Sequence, residues 1–349
     1  MNVNISPKTQ SILRRVGYPL FYVLALLVFV RCSFPYDRIG QKAAALYNEA
    51  EAKKTGRRLQ IESMNGYWLF GIRASGVKFI GAPPEPDDEG KVRPAPVSEL
   101  DRVYATIGPL GYIFGKKRVW FGAYAQDGSV VGRFRDEKDE RQIAVELAAM
   151  GVEDIPLLSD TVGIPMMGQA NGKLDLVFPE KRLSLTEGTI ELSIENLEIG
   201  DGKTKIRGFI ALPRLQAGRL DLVAEVEEGR LKIEKLEAKG PDFELEVSGQ
   251  VRLRDEFERS IAELSMRFKF ADRYKLKSDI TKGLFGDPKK KIKGALDFDP
   301  KVSRAKEPDG TYSWRIHGTF AKLSFEPAPR GAASSPRRAP RTTQPSDEE

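Results

Sequence analysis

AGRLDLVAEVEEGRLKIEKLEAKG (217–240) is the stretch on which the reading of this chain turns. Gly218-Arg-Leu-Asp-Leu is answered eleven residues later by Gly229-Arg-Leu-Lys-Ile. After Gly218 the apolar residues are Leu220, Leu222, Ala224 and Val226, and Arg219, Asp221, Glu225 and Glu227 stand between them; only Val223 breaks the pattern. Alternation with a period of two puts one set of side chains on each face of a strand. Glu228-Gly229 supplies a turn and Leu231 and Ile233 restart the alternation, which predicts a β-hairpin. The charges all point one way, so one face is wet and the sheet is antiparallel.

Outward from this hairpin the motif recurs. Glycine-led alternating units begin at Gly172, Gly188, Gly249, Gly294 and Gly318, at spacings from 11 to 45 residues. Such variable spacing excludes a fixed-period solenoid and predicts a meander in which glycine opens each strand from its turn. Phe243, Leu245 and Val247 alternate in the same way, as do Leu264, Met266, Phe268 and Phe270, and Leu253 ends the Gly249 unit. Further strands are expected around residues 66–79 and at 102–107, 117–125 and 129–135. A Pro- and charge-rich loop fills 81–97, and 151–170 reads as a second loop. RQIAVELAAM (141–150) reads as a short helix, and 328–349 as a disordered tail.

The bulk composition narrows the function classes. The chain has 349 residues, 56 Lys and Arg against 50 Asp and Glu, one cysteine (Cys32) and one histidine (His317). A single cysteine excludes an intramolecular disulfide framework, and one histidine argues against most metal and acid–base sites. The charges are interleaved rather than gathered in a patch, so nucleic acid is not an expected partner. No phosphate loop, nucleophile elbow or His-Glu motif is present. The expected protein is not an enzyme and needs no cofactor or metal.

VGYPLFYVLALLVFV (16–30) carries no charge and is bracketed by Arg14, Arg15 and Arg31. Fifteen helical residues span about 22 Å, short of a hydrocarbon core of about 30 Å, and a snorkelling Arg31 with flanking residues to 35 closes the gap. A membrane anchor over 16–35, with Val16, Leu20, Leu24, Leu27 and Val30 along it, is the leading reading. A cleaved signal peptide lacks a small-x-small site, and a lipoprotein signal lacks small residues before Cys32. The flanking cations tie in number, and the α-amino group together with the absence of acids in the first fifteen residues tips the orientation toward a cytoplasmic N-terminus. Residues 36–58 then read as an amphipathic helix through Ile39, Ala43, Leu46, Tyr47 and Ala50, capping one end of the sheet; a membrane-surface helix is the alternative, against which its alanine-rich apolar face argues.

A dozen or more antiparallel strands form a sheet of about 60 Å that two short helices cannot cover. Two arrangements stay open, a sandwich filled by its own side chains and a groove whose apolar lining meets something else. In either, Leu220, Leu222, Val226, Leu231, Ile233, Phe243, Leu245, Val247 and Leu253 are the lining residues. Lys289 to Lys293 reads as a solvated turn, with anionic headgroups as the alternative partner. Trp68, Trp120 and Trp314 are expected in the core or at sheet edges.

The short anchor followed by GYWLFGIRASGVKF (66–79), LEIGDGKTKIRG (197–208) and LPRLQAGRLDLVAEVEEGRLKIEKLEAKGPD (212–242) resembles GspN, the type II (general) secretion system protein N family, in its long deltaproteobacterial form. The resemblance covers about residues 60–330 and carries no catalytic signature. It implies a mainly β, elongated and curved antiparallel meander in a periplasmic domain over 59–327, a cytoplasmic tail over 1–15 and a single-pass inner-membrane anchor. Other type II secretion subunits are the implied partners, met through sheet edges and faces. The same plan is more distantly similar to AsmA-like envelope proteins, which implies a hydrophobic β-groove that binds or transfers phospholipid.

Overall fold

The computed structural model describes residues 13–68, 70–82, 95–109, 111, 114–155, 164–202, 205–206, 210–211, 213–287, 290 and 292–328. A π-helical turn (Leu13–Gly17) leads into α1 (Tyr18–Ser33), and Pro35 separates it from α2 (Tyr36–Thr55). Strands β1 (Arg58–Tyr67), β2 (Gly71–Ile80), β3 (Val97–Ile107), β4 (Lys117–Ala125), β5 (Gly128–Asp136), β6 (Glu140–Gly151), β7 (Met166–Pro179) and β8 (Glu187–Ile199) follow. A two-residue pair, β9 (Lys205–Ile206) and β10 (Ile210–Ala211), precedes β11 (Leu215–Glu227), β12 (Arg230–Lys239), β13 (Phe243–Arg252) and β14 (Ile261–Phe270). Next come α3 (Asp272–Lys275), α4 (Asp279–Phe285), β15 (Gly286–Asp287), β16 (Ile292–Lys293) and α5 (Pro300–Ala305), and the chain returns as β17 (Tyr312–Thr319) and β18 (Lys322–Pro327).

Fourteen strands form one sheet, in the order β1 to β8, β11 to β14, β17 and β18, and every neighbouring pair is antiparallel. The protein is therefore mainly β, as the alternation predicts. The opening hairpin is β11–β12, with Glu227 opposite Arg230. Glu228 (φ +48°) and Gly229 (φ +70°) both occupy the left-handed region, as a two-residue turn whose twist matches its strands requires. Gly229 is also held from outside: its N–H donates to Thr186 O (2.9 Å) and its carbonyl accepts from Leu253 N (2.7 Å).

Several sequence expectations are corrected. Residues 141–150 are strand, not helix. Their Glu, Leu and Ala content favours helix, but Ile143, Val145 and Leu147 alternate onto the face shared with Leu176, Leu174 and Gly172, and sheet packing overrides propensity. The loop expected over 151–170 gives way to β7 at Met166. The Gly294 unit opens a 3-10 turn (Ala295–Phe298) rather than a strand, with Gly294 N donating to Asp297 (3.2 Å). Gly172, Gly218 and Gly249 lie inside strands instead of opening them, and Gly318 sits near the end of β17. The second helix is α2, which ends at Thr55, three residues short of 58, with Gly56 (φ +75°) as its left-handed cap; α3, α4 and α5 were not foreseen. Residues 1–12, most of the 81–97 loop and 329–349 lie outside the described residues.

The two ends of the sheet are treated differently. The outer edge of β1 is capped by side chains. Asn48 brackets Leu59, accepting from its N–H (2.6 Å) and donating to its carbonyl (3.0 Å). Asp37 accepts from Met64 N (2.8 Å), and Arg31 donates to the carbonyls of Gly66 and Trp68, the latter at 3.0 Å. Unpaired edge groups are the usual template for unwanted strand pairing, and here α1 and α2 occupy them. At the β18 end, Leu323 and Phe325 are exposed.

The excursion between β14 and β17 is pinned by one carboxylate. Asp242 is buried (3% exposed) and accepts from Gln216 N (3.0 Å) and Arg273 Nε (2.6 Å). Burial pushes its pKa up, but the Gln216 N–H and the Arg273 guanidinium together hold it below the ordinary carboxylate value. Tyr274 packs on Phe270 and Phe285, donates to Pro213 O (2.9 Å), and burial raises its hydroxyl pKa to about 12. Because the Asp242 pKa is depressed in the fold, its stabilisation is present above the unfolded value of about 3.9 and is lost as pH falls through the folded one. Asp242→Asn therefore lowers stability at neutral pH by about 1–3 kcal/mol. In urea titrations of the detergent-solubilised chain, the gap from wild type narrows below about pH 4. A second variant, Gly229→Ala, places a Cβ against the Ser184 backbone at a left-handed φ. It lowers the urea midpoint by the equivalent of about 1–2 kcal/mol.

Candidate apolar groove

Directly opposed residues of an antiparallel pair carry their side chains on the same face, so the register can be followed from strand to strand. Gly66, Ile72, Ala105, Phe121, Gly132, Val145 and Leu174 are successive partners from β1 to β7. Ile190, Ala224, Ile233, Gly249, Leu264, Ile316 and Phe325 continue the line to β18. Every position in this fourteen-strand row is apolar or glycine. A parallel row runs Met64, Ala74, Val103, Ala123, Val130, Leu147, Gly172, Leu192, Leu222 and Leu236. On its other side lies Ile107, Val119, Phe134, Ile143, Leu176, Gly188, Val226, Leu231, Val251, Ala262, Gly318 and Leu323.

Bulges keep these rows on one face. Ile233-Glu234-Lys235-Leu236 places two charges in succession, which would send Leu236 and Ala238 to the wet side. The register shifts by one residue there, with Ile233 opposite Gly249 but Ala238 opposite Leu245, so both halves of β12 face the same way. A second shift separates Leu147 from Met150, and Ala149 takes φ +50° within it.

The nine residues singled out from the sequence converge on this face. Leu220 lies between Ile194 and Ala238, Leu222 between Leu192 and Leu236, and Ile233 between Ala224 and Gly249. Leu245 faces Phe268 and Val247 faces Met266. Val226 and Leu253 are buried in a cluster with Val251 and Ala262, joined by the half-buried Leu231. Phe243 packs against Phe270, ring centroids 5.1 Å apart, beside Leu215, Tyr274 and Phe285. A third buried cluster lies under α2, where Met64, Ala74, Val77, Leu100, Ala125 and Met150 gather with Tyr36 and Ile155.

These three clusters sit at the margins of the strip. Along the central row only Ala224 is buried (2% exposed), Ile72 and Phe325 are 42% and 51% exposed, and the remainder are half-buried. Filled protein interiors leave almost no accessible area on such residues. Among the described residues, the middle of the face is thus shielded by its own neighbours along the sheet but not roofed by another layer. The row members in β2 to β8 were missed as lining residues. Their signal is the alternation itself, as in Arg118-Val119-Trp120-Phe121, and it is legible only once partners are assigned.

The opposite face is a charge lattice. Glu225 faces Lys232, and cross-strand pairs join Lys78 to Glu99 (3.1 Å) and Lys173 to Glu146 (3.6 Å). Asp221 accepts from Arg219 (2.9 Å) and Lys235 (3.0 Å), and these hydrogen bonds lower its pKa to about 2. Exposed pairs contribute at most about 1 kcal/mol each, so their effect is on register more than on stability. His317 lies on this face 3.2 Å from Glu326. Trp314 lies in the apolar face, opposite Met266 and Pro327, whereas Trp120 lies on the polar face and Trp68 stands on an exposed turn, neither in the core. Among the described residues, no group of three His, Cys, Asp or Glu side chains is placed to hold a metal ion.

Residues Arg14–Ser33 form a helix long and apolar enough to cross a membrane. Its 20 residues reach about 30 Å, the hydrocarbon thickness that the uncharged run alone falls short of. Val16, Leu20 and Leu24 are exposed along it; the side chains of Leu27 and Val30 lie outside the described residues. No protein-family model, no curated protein and no solved structure matches the chain.

Proposed function

We propose that this protein is a non-enzymatic, membrane-anchored lipid-binding module that holds phospholipid acyl chains along its apolar sheet face. The reading places it in the bacterial inner membrane, through α1, with the sheet on the periplasmic side. The observation that carries it is the unroofed row running through all fourteen strands. An acyl chain of about 20 Å spans about four strands at 4.8 Å each, and each methylene taken from water contributes about 0.8 kcal/mol. A strip of about 60 Å thus accommodates chains end to end while headgroups stay at its margins.

A second reading, a scaffold subunit of the type II secretion system, draws on the motifs in 66–79 and 197–242. It uses the polar lattice and the β18 edge, where an extended segment of another subunit adds as a strand.

The two readings separate in one experiment in living cells. A photo-crosslinking residue placed at Leu222, Ile233 or Leu245 forms lipid adducts if the groove reading holds, and one at Asp221 or Glu225 does not. Silence at the three apolar positions, with protein adducts at Asp221 and Glu225, instead supports the scaffold reading.

A further inference from the structure

The apolar surface changes character where the sheet meets α1. Trp68, at the tip of the β1–β2 turn, is 76% exposed, and Phe114, in the β3–β4 turn, is 77% exposed. A soluble surface rarely leaves whole aromatic rings free on neighbouring turns. The turns are joined by Ile107 N, which donates to Phe70 O (3.1 Å), while Gly108 N donates to Arg118 O (2.9 Å) within the β3–β4 hairpin. Phe114 N and Lys116 N both donate to Gly111 O, at 3.0 and 2.8 Å, folding that tip back on itself. Ile72 and Ile107, at the ends of their strands on the apolar face, are exposed beside them.

Arg31 sets the depth of this surface. It lies in the last turn of α1, its guanidinium stands 5.1 Å from the Tyr36 ring, and it donates to the carbonyls of Gly66 and Trp68. A cation ending a membrane span rests at headgroup level, and so does whatever its side chain holds. Trp68 is tied to that level by a 3.0 Å hydrogen bond. Lys116, Lys117 and Arg118 stand at the neighbouring tip with Asp136 and Glu137 as their carboxylate partners, and Lys181 also binds Asp136.

We infer that Trp68 and Phe114 form a second membrane-contact site, inserted at the lipid–water interface of the bilayer that α1 spans. This rests on reading α1 as the anchor. The contact puts the β1–β4 end of the apolar strip, through Ile72 and Ile107, next to the acyl region, where a lipid passes from bilayer to sheet without crossing bulk water.

The chain contains three tryptophans, which makes the test direct. Trp120→Phe with Trp314→Phe leaves Trp68 as the only emitter. A comparison chain carries all three Trp→Phe changes and Lys232→Trp, on the polar face of β12. A third carries the three changes with Phe114→Trp. Each full-length chain is reconstituted into phosphatidylethanolamine–phosphatidylglycerol vesicles containing phospholipid brominated near the top of its acyl chains. The expected result is several-fold quenching of Trp68 and of the Phe114→Trp emitter, with the Lys232→Trp emitter unchanged. Equal quenching at all three positions, or none at the two tips in chains that float with the vesicles, overturns the contact site and leaves the anchor standing. Chains that do not float overturn the anchor, and the contact site with it. Circular dichroism shows whether each variant keeps its strand content.

Discussion

Strand register is the constraint on which everything else in this molecule depends. A slip of one residue between any two neighbours would carry a whole strand's apolar set to the wet face and break all the rows at that point. Thirteen successive pairings hold, so Gly66 of β1 and Phe325 of β18 belong to one line. Cross-strand charge pairs such as Lys173–Glu146 oppose a slip because each would then place a charge in the apolar face. The register is maintained from both faces, by burial cost on one and by charge matching on the other.

A sheet this wide must also avoid pairing with strangers and collapsing onto itself. The first hazard is met at β1, where Asn48, Asp37 and Arg31 occupy outward backbone groups. Two of these side chains belong to α2, so that helix is an edge cap as well as a connector. The second is met at the margins. Buried clusters under α2, around Leu253 and around Tyr274 concentrate packing at the strip's borders and leave its middle open. An open middle costs apolar exposure, and a bound apolar ligand would remove that cost.

Much of this was legible before any coordinates. The alternation in 217–240, the turn at Glu228-Gly229, an N-terminal helix apolar enough to span a membrane and the antiparallel meander all appear as read. The nine lining residues from Leu220 to Leu253 share a face because period-two alternation is a local property. The failures have local causes too. Residues 141–150 contain strong helix formers, and the β7 residues that Ile143, Val145 and Leu147 meet lie far along the chain. Gly294 opens an alternating unit, yet Asp297 caps its N–H and the unit closes into a turn. The short helices α3 to α5 carry too few residues for a helical period to show.

What the sequence determined by itself is each strand's two faces, since the side chain's direction follows from the backbone's two-residue repeat. It also determined the hairpin turn, because only Gly and a few other residues enter the left-handed region readily. Whether those faces close into a core or stay open was settled only by the tertiary structure. Alternation is the same in a sandwich and in an open sheet, and the difference lies in what stands about 10 Å above the face. No local pattern records that distance. The bulges at Glu234 and Ala149 belong to the same class, for a parity break reads as an error until the partner strand shows that it restores the row.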